Sequence, residues 1–104
     1  MAEAVGFIEV YGLTAAYVAA DAACKAGNVR IEAFDNNKPA NADALPVPLL
    51  VLVKIRGSIE DVKAGIEAGS KAAKLVSGVV TTHVIARPET DTEKLLKINC
   101  LEKK

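Results

Sequence analysis

Two β-α-β halves of similar length, two strongly apolar strand-like runs at residues 4–10 and 49–56, and a helix-periodic stretch after residue 58 predict an α+β fold. Its type is a ferredoxin-like β-α-β-β-α-β sandwich with a short C-terminal helix. With 104 residues the chain is read as a single domain, residues 1–104. Of these, 18 are alanine and four aromatic, a balance that suits close helix packing or subunit contact better than a large ligand pocket.

Each element follows from local pattern. Residues 4–10 are apolar on both alternating faces and read as a central strand. Leu13, Ala16, Ala20 and Ala23 recur at helical spacing between Gly12 and Gly27, which predicts a helix over 13–26 ending at a glycine cap. Val29, Ile31 and Ala33 alternate with Arg30, Glu32 and Phe34, the pattern of an edge strand with one face in water. Residues 35–48 hold three of the four prolines and no strand or helix period, which predicts a loop.

Residues 49–56 form the second central strand, closed by Gly57. Ser58 and Asp61 then make a capping-box variant ahead of Ile59, Val62, Ile66, Gly69, Ala73 and Val76 at 3,4,3,4,3 spacing. Residues 79–86 return to β-branched character as the other edge strand. Thr90 with Glu93 is expected to cap a terminal helix carrying Leu95 and Leu96. This order places the first and third strands in the centre of the sheet and the second and fourth at its edges.

The chemistry is sparse. Thirteen basic and thirteen acidic side chains cancel, which argues against a nucleic-acid or membrane-surface partner. Met1-Ala2-Glu3 has no basic start and no run of 18 apolar residues follows, so neither a secretory signal nor a membrane span is expected. Cys24 and Cys100 fit no metal or redox spacing. The single histidine, His83, lies in a strand-like run and reads as an edge side chain rather than a base. Glu60 and Asp61 suit the positive end of a helix dipole, and Glu67 with Lys71 forms an i,i+4 pair beside Lys63 and Lys74. No glycine pattern cradles a phosphate. Nothing here assembles a nucleophile, base and oxyanion donor, so no enzyme, cofactor or metal is expected.

Five segments in order carry a resemblance: Val5-Gly6-Phe7-Ile8-Glu9, Gly12-Leu13-Thr14-Ala15-Ala16, Ala19-Ala20-Asp21-Ala22, Lys25-Ala26-Gly27-Asn28-Val29 and Val84-Ile85-Ala86-Arg87-Pro88-Glu89-Thr90-Asp91. With Arg56-Gly57 and an alanine-rich second helix between them, the chain resembles bacterial microcompartment shell proteins over residues 4–97. That resemblance implies the ferredoxin-like fold, a cyclic homohexamer, tiling with other shell proteins into the facets of a cytoplasmic microcompartment, and a six-fold pore that small metabolites cross.

It also implies roles for residues. Lys25 and Asn28 match the hexamer edge where lysines of neighbouring hexamers lie antiparallel, and Arg87 matches the arginine beside them. The tight glycine-serine-glycine turn usual at the pore is replaced here by a long segment, making Asn36, Asn37, Lys38, Pro39 and Asn41 the pore-loop candidates. That segment has no cysteine, so the iron–sulfur cluster of some divergent members is not expected. The competing reading is a small oligomeric ligand-sensing domain of the same fold, since the fold alone does not choose between them.

Overall fold

A computed structural model describes residues 3–37, 40 and 49–99. The element order is β1 (Ala4–Tyr11), α1 (Leu13–Ala26), β2 (Arg30–Asn37), β3 (Leu50–Gly57), α2 (Ile59–Val76), β4 (Val79–Ile85) and α3 (Thr90–Leu96). The four strands form one antiparallel sheet in the order β2-β3-β1-β4, so the two apolar strands are central as the pattern predicts.

The pleat sorts the central strands into two faces. Ile8 and Val10 of β1 pair with Val53 and Val51 of β3 and, with Ile55, are fully buried on the face that carries α1 and α2. Lys54 and Arg56 alternate with those residues and point to the opposite face. There they meet α3: Lys54 Nζ reaches the carbonyls of Leu95, Leu96 and Ile98, and Arg56 reaches Glu93.

Alanine explains how the two long helices approach each other. α1 buries Ala15, Ala16, Ala19, Ala20 and Ala23. Where α2 crosses it, Gly65 and Gly69 are also buried, and a Cβ on Gly69 would stand 2.9 Å from the Ala19 carbonyl oxygen. Larger side chains would push the helices apart. Leu13, expected on the buried face, is 37% exposed, because the apolar stripe of α1 is centred on the alanines.

Four local expectations need correction. β2 runs to Asn37, pairing Asn36 with Val51 and Asn37 with Leu50, so these asparagines belong to a strand and not to the loop expected from residue 35. The strand also carries a bulge at Glu32: Ile31 pairs with Ile55 and Ala33 with Lys54, leaving Glu32 extra. That slip breaks the alternation and turns Phe34 into the buried layer, where its ring centroid lies 5.3 Å from that of Tyr17 of α1. The remaining pore-loop candidates, Lys38, Pro39 and Asn41, lie outside the described residues.

Gly27 does cap α1, its N–H donating to the Ala23 carbonyl at 3.2 Å, but in an extended conformation (φ −144°). Glycine is needed for proximity instead: a Cβ there would sit 2.6 Å from the Asp61 carbonyl oxygen. Positive φ is found at Gly12, with φ 89° where β1 turns into α1, and at Gly78, with φ 155° where α2 gives way to β4. Ser58 caps α2 as expected, its Oγ accepting from the Asp61 N–H at 3.1 Å. The cap of α3 is Glu89, whose carboxylate accepts from the Asp91 N–H at 2.7 Å; Thr90 is already helical, and Glu93 is drawn away by Arg56.

Candidate functional site

Antiparallel pairing gives the sheet two chemically different ends. At one end lie the starts of β1 and β2 and the finishes of β3 and β4, with Ala4 opposite Gly57, Arg30 opposite Arg56 and Ile85 opposite Val5. Asn28 lies two residues before β2 there and Arg87 two residues after β4; both are exposed. Lys25, in the last turn of α1, leads into the same corner as Asn28. Its ammonium is exposed and pairs with Asp21 one turn back at 2.7 Å, and that hydrogen bond raises its pKa above the ordinary lysine value.

Lys25 and Asn28 are thus brought together, whereas Arg87 stands off from Asn28. β2 and β4 are the outermost strands, three spacings or roughly 14 Å apart. At the other end of the sheet, Asn36 and Asn37 are exposed at the finish of β2, where the chain leaves for the twelve residues that precede β3.

The first end also holds charges that reading the sequence missed. Arg56 is 3% exposed and donates to both carboxylate oxygens of Glu93 at 2.7 Å, to Glu32 at 3.3 Å, and to the carbonyls of Ala4 and Glu3. Glu93 hydrogen-bonds Arg56, which raises the arginine's pKa and lowers the glutamate's. Lys54, also 3% exposed, pairs with Asp35 at 2.6 Å and with the α3 carbonyls. Arg30 pairs with Glu3. A recess of about 160 Å³ lined by Glu3, Asn28, Val29, Arg30 and Arg56 joins this network to the Asn28 corner. The available signal was two cations two residues apart inside an otherwise apolar central strand, a spacing that aims both at one face.

Among the described residues, no group of three or more His, Cys, Asp or Glu side chains is arranged to hold a metal, and no helix is long and apolar enough to cross a membrane. His83 is exposed on the edge strand β4, opposite Phe7. What the geometry does supply is two separated, exposed polar ends on a small-residue scaffold, an arrangement suited to contact between copies.

The BMC-domain family model matches residues 4–88. The chain belongs to the BMC-domain family. It is 43% identical over 94 residues to "Bacterial microcompartment shell protein PduA" of Citrobacter freundii, covering 90% of this chain and 91% of that protein. It is 36% identical over 104 residues to "Carboxysome shell protein CcmK1" of Thermosynechococcus vestitus, covering 98% of this chain and 84% of the relative. A solved microcompartment protein from Desulfitobacterium hafniense matches with a TM-score of 0.70 at 23% identity, over 90% of this chain and 48% of that one. This BMC-domain chain therefore spans about half of that longer chain, and the likeness shows the shared fold.

Proposed function

We propose that this BMC-domain chain is a structural, non-catalytic tile of a bacterial microcompartment shell. Its copies close into a hexameric ring, and rings meet edge to edge, alongside other shell proteins, through Lys25, Asn28 and Arg87. The observation that supports this reading is the segregation of the sheet: the three exposed edge candidates share one end, while Asn36 and Asn37 lead into the β2–β3 connection at the other. A ring that turned the second end to its axis would place six copies of that connection, with Lys38, Pro39 and Asn41, around a path for small polar metabolites.

The edge chemistry fits two-fold contact. Lys25 is long enough to lay its apolar stem along a symmetry mate while its ammonium stays hydrogen-bonded, and Arg87 adds a planar donor array at the same end of the sheet. Electron microscopy of the wild-type protein should show sheets or tubes at high concentration. Lys25→Ala and Arg87→Ala should lose them while keeping the ring size and the fold. Sheets unaltered in both variants would remove the proposed edge, and discrete dimers or trimers with a bound small molecule would replace the tile by a ligand sensor.

A further inference from the structure

Arg87 is exposed and no hydrogen bond or ion pair to another described residue fixes its side chain, yet the backbone that carries it is pinned on both sides. Before it, Ile85 is paired with Val5 at the finish of β4. After it, Pro88 is buried, and Glu89 caps α3 with its side chain and accepts from the Glu93 N–H with its carbonyl at 3.0 Å. α3 itself has seven residues, too few to persist as an isolated helix. Its one buried apolar side chain is Leu96, whereas Leu95 is 61% exposed. Polar ties to β3 therefore carry its docking, and the one nearest Arg87 is the two-pronged contact of Arg56 with Glu93.

We infer that the Arg56–Glu93 pair is a positioning device for Arg87. By holding α3 against the sheet, it fixes the three-residue span between Ile85 and Glu89 and presents the Arg87 guanidinium at a set height on the tile edge. The inference rests on the reading of Arg87 as an edge residue. Arg56 suits the task because it is anchored independently of α3, by the Ala4 and Glu3 carbonyls and by Glu32. Val5 is the register partner of both Arg56 and Ile85, so the two fixed points of the span are tied to one residue of β1. The charged groups around Glu93 are Arg56 of β3, Arg30 of β2 and Lys97 beyond α3, with Glu32 of β2 sharing Arg56.

The test is a double-mutant cycle read as the protein concentration at which sheets first appear, with ring size and circular dichroism required to stay unchanged. Glu93→Gln should raise that concentration by about fivefold, the scale of re-ordering one long side chain at an interface. In an Arg87→Ala background the same change should have no further effect, because its action passes through Arg87. If alanine leaves no sheets to measure, Arg87→Lys serves as the background, and there Glu93→Gln should raise the threshold by less than it does in the wild type, because a lysine makes less of a fixed position than the planar guanidinium. Wild-type sheets should also weaken on acidification as Glu93 takes up a proton, and the Glu93→Gln protein should lack that component of the profile.

The outcomes are distinguishable. Arg87→Ala without effect on sheets overturns the edge reading itself. If Arg87→Ala weakens sheets but Glu93→Gln does not, or if Glu93→Gln acts equally with and without Arg87, the edge stands and the positioning role is wrong.

Discussion

The Arg56 guanidinium and the Glu93 carboxylate meet fork to fork, with both nitrogen–oxygen distances at 2.7 Å, across the gap between the central strand β3 and the terminal helix α3. One partner is 3% exposed and rooted in the sheet, and the other is 32% exposed on a seven-residue helix. The bidentate geometry sets direction as well as attraction. It makes α3 part of the folded domain although little of the helix is buried.

The first prediction concerns acid. Arg56 holds the Glu93 carboxyl below the ordinary glutamate value of 4.5. A group with a depressed folded-state pKa contributes stability above its unfolded value and loses that contribution as pH falls through the folded value. Amide-exchange protection of α3, corrected for intrinsic rates, should therefore fall on acidification below 4.5 while β1 and β3 stay protected. Equal loss in all three elements would mean that α3 does not open separately.

The second concerns the other interior cation. Lys54→Met removes the donor to the Leu95, Leu96 and Ile98 carbonyls and the partner of Asp35, while keeping an unbranched side chain of similar length. The end of α3 should fray and urea unfolding should report a loss of about 1–3 kcal/mol. An unchanged urea midpoint would show that the methionine stem alone supplies what the lysine does.

The third compares two glycines of α2. At Gly69 a Cβ would stand 2.8 Å from Ile8 Cδ1 and 2.9 Å from the Ala19 carbonyl oxygen, so α1 must shift. Gly69→Ala should cost about 1–3 kcal/mol from overpacking, only partly offset by alanine's better helix propensity. At Gly65 the tightest neighbour is the flexible Ile55 Cδ1 at 3.0 Å, so Gly65→Ala should stay within about 0.5 kcal/mol of wild type. Denaturant midpoints of the two variants, measured side by side, check the order.

The fourth concerns the start of α2. Ser58 Oγ satisfies the Asp61 N–H, and Ser58→Ala leaves that donor to water at a cost of about 1 kcal/mol. Ser58→Thr should recover most of the loss, because its hydroxyl accepts the same bond and can still donate to Asp61 Oδ2, as Ser58 Oγ does at 2.8 Å. Thermal midpoints of the three proteins provide the measurement.

The sequence by itself determined the element order, the central placement of β1 and β3, the close alanine-rich helix pair and the family, because these depend on hydrophobic period and on short segments in fixed order. Lys25, Asn28 and Arg87 could be singled out only as motif positions, and it is the strand pairing that puts them at one end of the sheet. Only the tertiary structure decided what breaks a period or joins distant residues. The bulge at Glu32 is invisible in the eight residues of β2, yet it turned Phe34 inward. Glu93 has the spacing of a capping partner for Thr90, but a buried arginine 37 residues earlier attracts a carboxylate more strongly than a helix terminus does. Lys54 and Arg56 read as charges interrupting an apolar strand. Their role appeared only when pairing set them on one face and the chain's return laid α3 over them, since burying a cation is affordable only where its partners arrive from elsewhere in the fold.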